Sequence, residues 1–380
     1  MKSLSVKRVA HVLPDMMPFL SGTFARLILR HFPDVTFFLQ SYYTQGSEQT
    51  AREQNQAWLK DVPNYCTCLP FPFWRQVQAK LPRCVCSFFA VFTPDRSIYS
   101  LIQLLLGPRK IIFHGYALNF ASLLLLRLCG KQMSLIYWGG EVKGRGKPSD
   151  IILKWQYCCY QTIFVLMSPE IKYFKALGCR KVELLPYPCR RTAMDSFDEA
   201  VFDTAQANRS VLLGNSVHHR EEYREVLDQF TPSEWSRVTC MLNYGREDEV
   251  AQTQDFITHY QALYKDVFYP WTTMLPYDDY LKEIAQYPFY VYAGRLQGGL
   301  GAIYASIRQG KTLFLRGNNL AWVRELGCVA HDIDQITDWS YDNLKRLQLT
   351  KEQALANWYA LYEAFSTRFS EENWARRLSE

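Results

Sequence analysis

Long apolar runs are missing from this 380-residue sequence. The most apolar stretches are SLIQLLLG at 100–107 and FASLLLLRLCG at 120–130. Both are far shorter than the ~20 apolar residues that a membrane-spanning helix needs. The start, MKSLSVKRVAHVLPDMM, has a basic flank, but its apolar stretch breaks at Pro14, which argues against a signal peptide. The sequence therefore predicts a protein that is made and kept in the cytosol.

Several nucleotide-binding and nucleic-acid-binding signatures are also missing. No G-x-G-x-x-G follows the first predicted strand with an acidic residue ~20 positions later, which argues against a NAD site. The P-loop pattern G-x-x-x-x-G-K-[ST] does not occur. No RRM, KH or helix-turn-helix signature is visible, so we expect no nucleic-acid partner.

Zinc-binding spacing is not present among the 11 cysteines. Two C-x-C pairs occur, Cys66 with Cys68 and Cys84 with Cys86, whereas structural zinc sites use C-x₂₋₄-C. In an extended segment, a C-x-C pair only places two small apolar side chains on one face. We therefore expect free thiols and no metal at these positions.

The charge of the chain is divided unevenly. Residues 1–190 contain 24 Lys and Arg against 10 Asp and Glu, and the remainder contains 19 against 27. The first half is thus basic and the second acidic, which favours two domains. A basic half suits an anionic partner such as a membrane surface, a lipid phosphate or a nucleic acid, although it would equally make the surface soluble.

Short strand-like runs alternate with helical stretches through both halves, which is typical of parallel sheets flanked by helices. The predicted crossing point is 181–210, where two prolines and polar residues follow a strand. We predict an α/β protein with domains at 1–190 and 191–350 and a C-terminal helix at 351–380 that packs back on the first domain. This matches the GT-B architecture of glycosyltransferases, in which two Rossmann-like domains face each other across a cleft.

Three loops of the second half follow predicted strands, at the edge where open parallel sheets bind ligands. They are LLGNS at 212–216, LNYG at 242–245 and GRLQGGLG at 294–301. Glycines let a backbone approach a phosphate closely, and Arg295 offers a planar fork to a diphosphate. Each loop alone is equally consistent with an ordinary strand-to-helix turn.

These loops, with MLPYDDYLKEIAQ and YWGGE, resemble glycosyltransferase family 56, the TDP-Fuc4NAc:lipid II Fuc4NAc transferases of the enterobacterial common antigen type. The resemblance is clearest over 205–330 and patchy before that. It implies transfer of 4-acetamido-4,6-dideoxygalactose from a dTDP-sugar to an undecaprenyl-diphosphate-linked saccharide, at the cytosolic face of the inner membrane. Leu296 and Glu141 depart from the family pattern. Both departures leave the identity of the transferred sugar undetermined.

The resemblance also implies donor-site roles for individual residues. Leu275 is expected to lie near the nucleobase, and Arg295 and Gln297 near the diphosphate or the sugar hydroxyls. The remaining donor-site residues are Gly214, Asn215, Ser216, Asn243, Tyr244, Gly245, Gly298, Gly299 and Gly301.

The acceptor's general base is expected at a strand end of the first half. Glu141 is the first choice and His114 the second, while His11 and Asp15 also qualify by position. A base must reach the acceptor hydroxyl and have a pKa near the working pH. If the enzyme retains the anomeric configuration, the donor phosphate takes the proton and no protein base is required.

A metal is not expected at the donor site. The sequence HDID at 331–334 contains D-x-D, but it lies past the predicted end of the second sheet. Arginine and backbone N–H groups already supply the charge stabilisation that Mg²⁺ would give. We therefore predict a metal-independent enzyme without a cofactor.

Two segments favour contact with an anionic membrane, 71–89 and 143–160, because both interleave aromatic with basic residues. A buried helix with solvated lysines would show the same pattern. Two alternatives to the main hypothesis also stay open. One is a GT-B enzyme with another nucleotide sugar and acceptor, and the other is a non-catalytic assembly protein that binds sugar nucleotides.

Overall fold

The computed structural model describes residues 9–14, 18–33, 35–40, 65–68, 98–115, 118, 120–139, 149–188, 197–243, 253–273 and 275–380. The chain divides into two compact units. The first comprises residues 1–186 and 378–380, and the second comprises residues 187–377. Each unit is built on its own parallel sheet.

The sheet of the first unit has seven strands in the order β3-β2-β1-β4-β5-β6-β7, and every described pair is parallel. The strands are β1 (Val9–Pro14), β2 (Thr36–Gln40), β3 (Tyr65–Cys68), β4 (Lys110–His114), β5 (Gln132–Tyr137), β6 (Thr162–Val165) and β7 (Val182–Leu184). The helices are α1 (Pro18–His31), α2 (Ile98–Leu106), α3 (Phe120–Leu128), α4 (Ser149–Cys158) and α5 (Pro169–Ala176).

The sheet of the second unit has six parallel strands in the order β10-β9-β8-β11-β12-β13. They are β8 (Ser210–Gly214), β9 (Arg237–Met241), β10 (Phe268–Trp271), β11 (Phe289–Tyr292), β12 (Thr312–Leu315) and β13 (His331–Asp332). The helices are α6 (Glu199–Gln206), α7 (Arg220–Leu227), α8 (Gln254–Tyr264), α9 (Tyr277–Ala285), α10 (Leu300–Arg308), α11 (Gly317–Glu325), α12 (Tyr341–Arg346), α13 (Lys351–Ser366) and α14 (Glu371–Ser379).

The central strands are apolar on both faces because helices cover both sides of each sheet. SVLLG in β8, FYVY in β11 and TLFL in β12 are buried at every position. Val211, Leu213 and Val291 lie in one continuous core with aromatic residues of α7 and α8. These runs were predicted as strands, and the parallel α/β organisation of both halves is confirmed.

Two edge strands were not predicted, since neither has an apolar run to mark it. β3 consists of YCTC, and its backbone is extended at Cys66 and Cys68, as the interpretation of this C-x-C pair assumes. β13 is only two residues long and pairs with β12 through Leu315 and Asp332. The expectation that HDID lies past the second sheet is therefore wrong, because His331 and Asp332 form its last strand.

The helical segment at 351–380 is divided into α13 and α14. A capping box starts α13, in which the Thr350 hydroxyl accepts from Gln353 N and the Gln353 side chain accepts from Thr350 N. The break between the helices buries Phe369 against Trp322 and Phe365. Residues 378–380 belong to the first unit, where Lys110 Nζ donates to the carbonyl oxygens of Leu378 at 2.8 Å and Ser379 at 3.2 Å.

Candidate functional site

The strand order of the second unit places β8 beside β11, although three connections separate them in the chain. The chain leaves β8 toward β9 and leaves β11 toward β12, so the two following loops diverge. In open parallel sheets this switch point is where ligands bind. The two loops are residues 215–219 and the glycine loop, which we define as residues 294–301. They meet where a Cβ placed on Gly299 would lie 3.2 Å from Asn215 Cβ.

Two buried tyrosines hold the turn after β8. Gly214 has φ +81°, and a side chain there would lie 2.6 Å from Tyr223 Cζ. Tyr290 Oη donates to the Gly214 carbonyl at 3.0 Å, and Asn215 N donates to Tyr223 Oη at 3.1 Å. Burial raises the pKa of Tyr223 well above its usual value, so the phenol stays protonated. This turn is therefore rigid, and only glycine fits it.

Ser216 has a local role in the same loop. The side chain is buried, and its hydroxyl accepts from His218 N at 3.2 Å, which caps the 3₁₀ turn at Val217–His219. This is the usual use of a serine at a helix start. Ser216 thus shapes the loop that presents Asn215.

The glycine loop rests on the ring of Tyr292, the last residue of β11. A Cβ on Gly298 would overlap the Tyr292 hydroxyl, and a Cβ on Gly299 would lie 3.0 Å from the ring. Gly301 differs, because a Cβ there meets nothing within 4 Å. Packing on Tyr292 therefore explains two of these glycines, whereas Gly301 borders open space.

The glycine loop leads directly into α10, whose N-terminus is open. Gly299 is the N-cap residue, with φ +61° and no capping side chain. The first intrahelical bond to its carbonyl comes from Ile303 N at 2.9 Å, so the N–H groups of residues 300–302 have no intrahelical acceptor. No acidic residue occupies this first turn. Such a helix end attracts anions through its N–H groups and its dipole.

Arg295 follows β11 and Arg316 follows β12, and carboxylates lie between their guanidinium groups. Arg295 is 61% exposed, and its Nη1 lies 2.8 Å from Asp334 Oδ2. Arg316 is only 3% exposed and donates from Nε to the Ala293 carbonyl. Its Nη1 lies 2.7 Å from Glu225 Oε2 and 3.3 Å from Asp334 Oδ1. Asp334 therefore bridges the two guanidinium groups.

The pKa of Asp334 reflects this position. Burial alone would raise it, but hydrogen bonds and charge from Arg295 and Arg316 outweigh burial and hold the pKa below its usual value. Arg316 and Asp334 were not predicted as site residues. Arg316 directly follows the apolar run TLFL, and this strand-end position is a sequence signal that could have identified it.

The first residues of α11 hold the glycine loop in place through hydrogen bonds. Asn318 N donates to the Arg295 carbonyl at 3.0 Å, and Asn319 Nδ2 donates to the Leu296 carbonyl at 3.3 Å. Gly317 has φ +61°, and a side chain there would overlap the Arg295 carbonyl. Gln297, within the glycine loop, is buried.

One further unpredicted residue, His219, borders the glycine loop. Its ring centroid lies 5.5 Å from that of Tyr292, and its Nδ1 lies 3.3 Å from Glu222 Oε1. The hydrogen bond from His219 lowers the pKa of Glu222 despite partial burial. A Cβ on Gly298 would lie 3.5 Å from His219 Nε2, so this imidazole faces the loop.

The other predicted donor residues follow β9 and β10. Asn243 Nδ2 donates to the Thr273 carbonyl at 3.3 Å, which joins the loops after these two strands. Leu275, in the second of these loops, is exposed. Tyr244 and Gly245 lie outside the described residues. The structure thus brings Gly214, Asn215, Ser216, Arg295, Gln297, Gly298 and Gly299 to one switch point, and Asn243 and Leu275 to the two neighbouring loops.

In the first unit, His114 lies at the corresponding switch point between β1 and β4. His11 Nδ1 and His114 Nε2 are 2.9 Å apart, and both rings are buried. Burial lowers the pKa of His11 to about 3, with the charge of Lys110 adding to it, and burial lowers the pKa of His114 well below its usual value. His114, the second choice for the base, is therefore engaged through Nε2 with a second neutral imidazole. Asp15 and Glu141 lie outside the described residues.

Metal-ligating side chains do not gather within the described part of the chain, where no three His, Cys, Asp or Glu residues are placed to share an ion. Asp332 and Asp334 illustrate this, since Asp332 Oδ1 accepts from Asp334 N and Asp334 pairs with two arginines.

Similar folds exist among solved structures, although no protein-family model and no curated protein matches this sequence. The chain is similar to the N-terminal domain of Candida albicans trehalose-6-phosphate phosphatase, with TM-score 0.66 and 13% identity over 98% of this chain and 96% of that one. The α,α-trehalose 6-phosphate synthase of Burkholderia multivorans gives TM-score 0.63 and 10% identity over 98% and 97%.

A third similar structure is Anabaena HepE in complex with UDP, with TM-score 0.60 and 11% identity over 98% of both chains. These likenesses extend over nearly the whole length of this chain. The fold is therefore GT-B, with two parallel-sheet α/β domains.

Proposed function

We propose that the protein is a glycosyltransferase whose nucleotide-sugar donor binds at the switch point of the second unit. The observation that carries this proposal is the open N-terminus of α10, which begins at the glycine loop beside Asn215. Its N–H groups can hold a diphosphate, and Gly301 leaves room above them. HepE, which has a similar fold, was solved with UDP, and this supports a nucleoside diphosphate as the ligand.

The site can stabilise the charge that develops on the leaving nucleoside diphosphate. As the glycosidic bond breaks, negative charge grows on the diphosphate oxygens, and preorganised N–H groups lower the energy of that state. Arg295 is exposed and its ion pair with Asp334 is therefore worth little, so its guanidinium can turn from Asp334 to the diphosphate. Charge stabilisation then comes from protein groups, and we propose a metal-independent reaction.

We further propose a dTDP-activated deoxyamino sugar as the donor and an undecaprenyl-diphosphate-linked saccharide as the acceptor, at the cytosolic membrane face. The support is the resemblance of the loops at 212–216, 242–245 and 294–301 to glycosyltransferase family 56. The acceptor's base is proposed among the strand ends of the first unit, with Glu141 as the first choice and Asp15 as another, whereas burial and the contact with His11 argue against His114, the second choice.

Replacing Gly301 by aspartate tests the donor site. A carboxylate in the first turn suits the dipole of α10 and meets nothing within 4 Å of its Cβ, so the fold should keep its stability. The same charge should repel the donor diphosphate, and we expect the Kd for dTDP and UDP to rise at least about tenfold. Isothermal titration with both nucleotides measures this effect.

The matched control is Gly301→Asn, which has nearly the same shape without the charge. It should lose much less affinity than Gly301→Asp. Equal Kd values for Gly301→Asp and the wild type would exclude the α10 N-terminus as the diphosphate site. A wild type that binds nucleotide but transfers no sugar to any lipid-linked acceptor would favour a non-catalytic binding protein.

A further inference from the structure

The first unit has an apolar outer surface on three neighbouring helices. Each of these helices buries one side against the sheet, through Leu101 and Leu104 of α2, Leu123 and Leu126 of α3 and Tyr157 of α4. The opposite sides expose large apolar side chains. We call this the α2–α4 surface, and it consists of Ile102, Leu106, Leu124, Leu125, Leu128 and Trp155.

The exposure within this surface is unusually high for leucine. Leu106 and Leu128 are each 76% exposed, and Trp155 is 52% exposed. Single exposed leucines need no explanation, but a group of them on one face of a protein marks an interaction site.

Contacts between the helices make the surface continuous. Lys131 Nζ donates to the Pro108 carbonyl at 2.9 Å, which brings the end of α3 next to the end of α2. Arg127 Nη1 donates to the Cys158 carbonyl at 2.6 Å and so joins the ends of α3 and α4. The rings of Phe120 and Trp155 lie 5.9 Å apart near the start of α3.

Charge distinguishes between the occupants that could cover this surface. Residues 96–140, which include α2 and α3, contain no aspartate and no glutamate. Arg109, Arg127 and Lys131 lie in this segment, and Lys154 precedes Trp155 on α4. A second copy would bring the same patch against itself in a two-fold dimer, so basic groups would face basic groups. An anionic partner is favoured instead.

We propose that the α2–α4 surface docks the protein on an anionic phospholipid bilayer. The leucines and Trp155 enter the boundary between headgroups and acyl chains, and the basic side chains remain at the phosphates. No helix of the described residues has the length and hydropathy to cross a bilayer, and the contact we propose is peripheral. The proposal adds a docking surface to the membrane face named in the proposed function, on which it rests, and does not depend on which sugar is transferred.

The test is co-sedimentation of the purified full-length protein with lipid vesicles. One set contains phosphatidylcholine alone, and the other contains about one third phosphatidylglycerol. The wild type should bind the anionic vesicles more strongly, and salt raised from about 0.05 M to about 0.5 M should weaken this binding. The double variant Leu106→Glu with Leu128→Glu should reduce the vesicle partition coefficient at least about tenfold.

The control is Leu263→Glu on α8 of the second unit, where the leucine is 52% exposed, as Trp155 is. It should bind vesicles like the wild type. All variants should keep the wild-type Tm and the same Kd for dTDP or UDP. An effect on vesicle binding alone would then distinguish membrane docking from nucleotide binding at the donor site.

Three outcomes would overturn the proposal. One is a wild type that fails to bind anionic vesicles at low salt. Another is a Leu106→Glu, Leu128→Glu variant that binds them as well as the wild type. The third is a wild-type dimer in light scattering that the double substitution dissociates while vesicle binding is unchanged, because a second copy would then cover the surface.

Discussion

At the scale of single residues, the proposed donor site depends on what Arg295 contacts. The residue was predicted as a diphosphate ligand because its planar guanidinium lies in a glycine-rich loop after an apolar strand, and the structure places it at the switch point. Its guanidinium is paired there with Asp334, whose carboxylate also contacts the buried Arg316. Sequence alone could not give this pair, because 39 residues separate the partners and the short β13 that precedes Asp334 has no apolar run.

Asp334 should compete with the donor diphosphate for Arg295. In Asp334→Asn the exposed Arg295 loses its ion pair and is available to the ligand, so we expect the Kd for dTDP and UDP to fall about two- to fivefold. Arg316 keeps its contacts with Glu225 and the Ala293 carbonyl, so the fold should persist. Isothermal titration gives the Kd values.

Asp338→Asn is the control for this prediction. It removes one exposed carboxylate from the same segment, and that carboxylate accepts from Ser340 N rather than from either arginine. Its Kd values should stay at the wild-type level. Weaker nucleotide binding by Asp334→Asn would show that the carboxylate orients Arg295 for the donor and does not compete for it.

At the scale of elements, short apolar runs that alternate with helical stretches were enough to predict most central strands and the parallel sheets. The same reasoning missed β3 and β13, because edge strands need no continuous apolar run. It also joined α13 and α14 into one helix, because the break depends on burial of Phe369 against Trp322, a contact between distant elements. Gly298 and Gly299 lie in a strand-to-helix connection, as expected from the sequence, but their packing on Tyr292 depends on the strand that precedes them.

The neutral pair formed by His11 on β1 and His114 on β4 makes the first unit sensitive to acid. An unfolded histidine has a pKa of about 6.5, whereas the pKa of buried His11 is about 3. Between these values the unfolded chain binds more protons, so the free energy of unfolding falls as the pH falls below about 6.5. Each such histidine contributes a loss of about 1.4 kcal/mol per pH unit. Above pH 6.5 the stability from the neutral pair is complete.

Thermal unfolding of the wild type and of a His11→Gln, His114→Gln variant between about pH 7.5 and pH 5 tests this, because both proteins share every other titrating group, including Glu170, whose pKa burial raises to about 8. An amide pair can keep a hydrogen bond without titrating, so the Tm of the variant should change less over this range. Equal pH dependence in both proteins would contradict the assignment of acid sensitivity to this pair.

At the scale of the whole molecule, the two proposed sites lie on different units of the GT-B fold. The second unit carries the glycine loop, the open α10 N-terminus and the paired arginines, all of which suit a nucleoside diphosphate. The first unit carries the basic, acid-poor α2–α4 surface, which suits an anionic bilayer. The charge asymmetry of the sequence indicated this division. The exposed leucines could not be identified from the sequence, since buried Leu123 and exposed Leu124 are neighbours of the same residue type.

The central claim is that a donor diphosphate binds at the N-terminus of α10. A crystal structure of the protein with dTDP or UDP tests it most directly. We expect diphosphate oxygens within about 3.2 Å of the backbone nitrogens of residues 300–302, with the Arg295 guanidinium turned from Asp334 toward the ligand. A nucleotide bound away from the glycine loop, with Arg295 still paired to Asp334, would contradict the account.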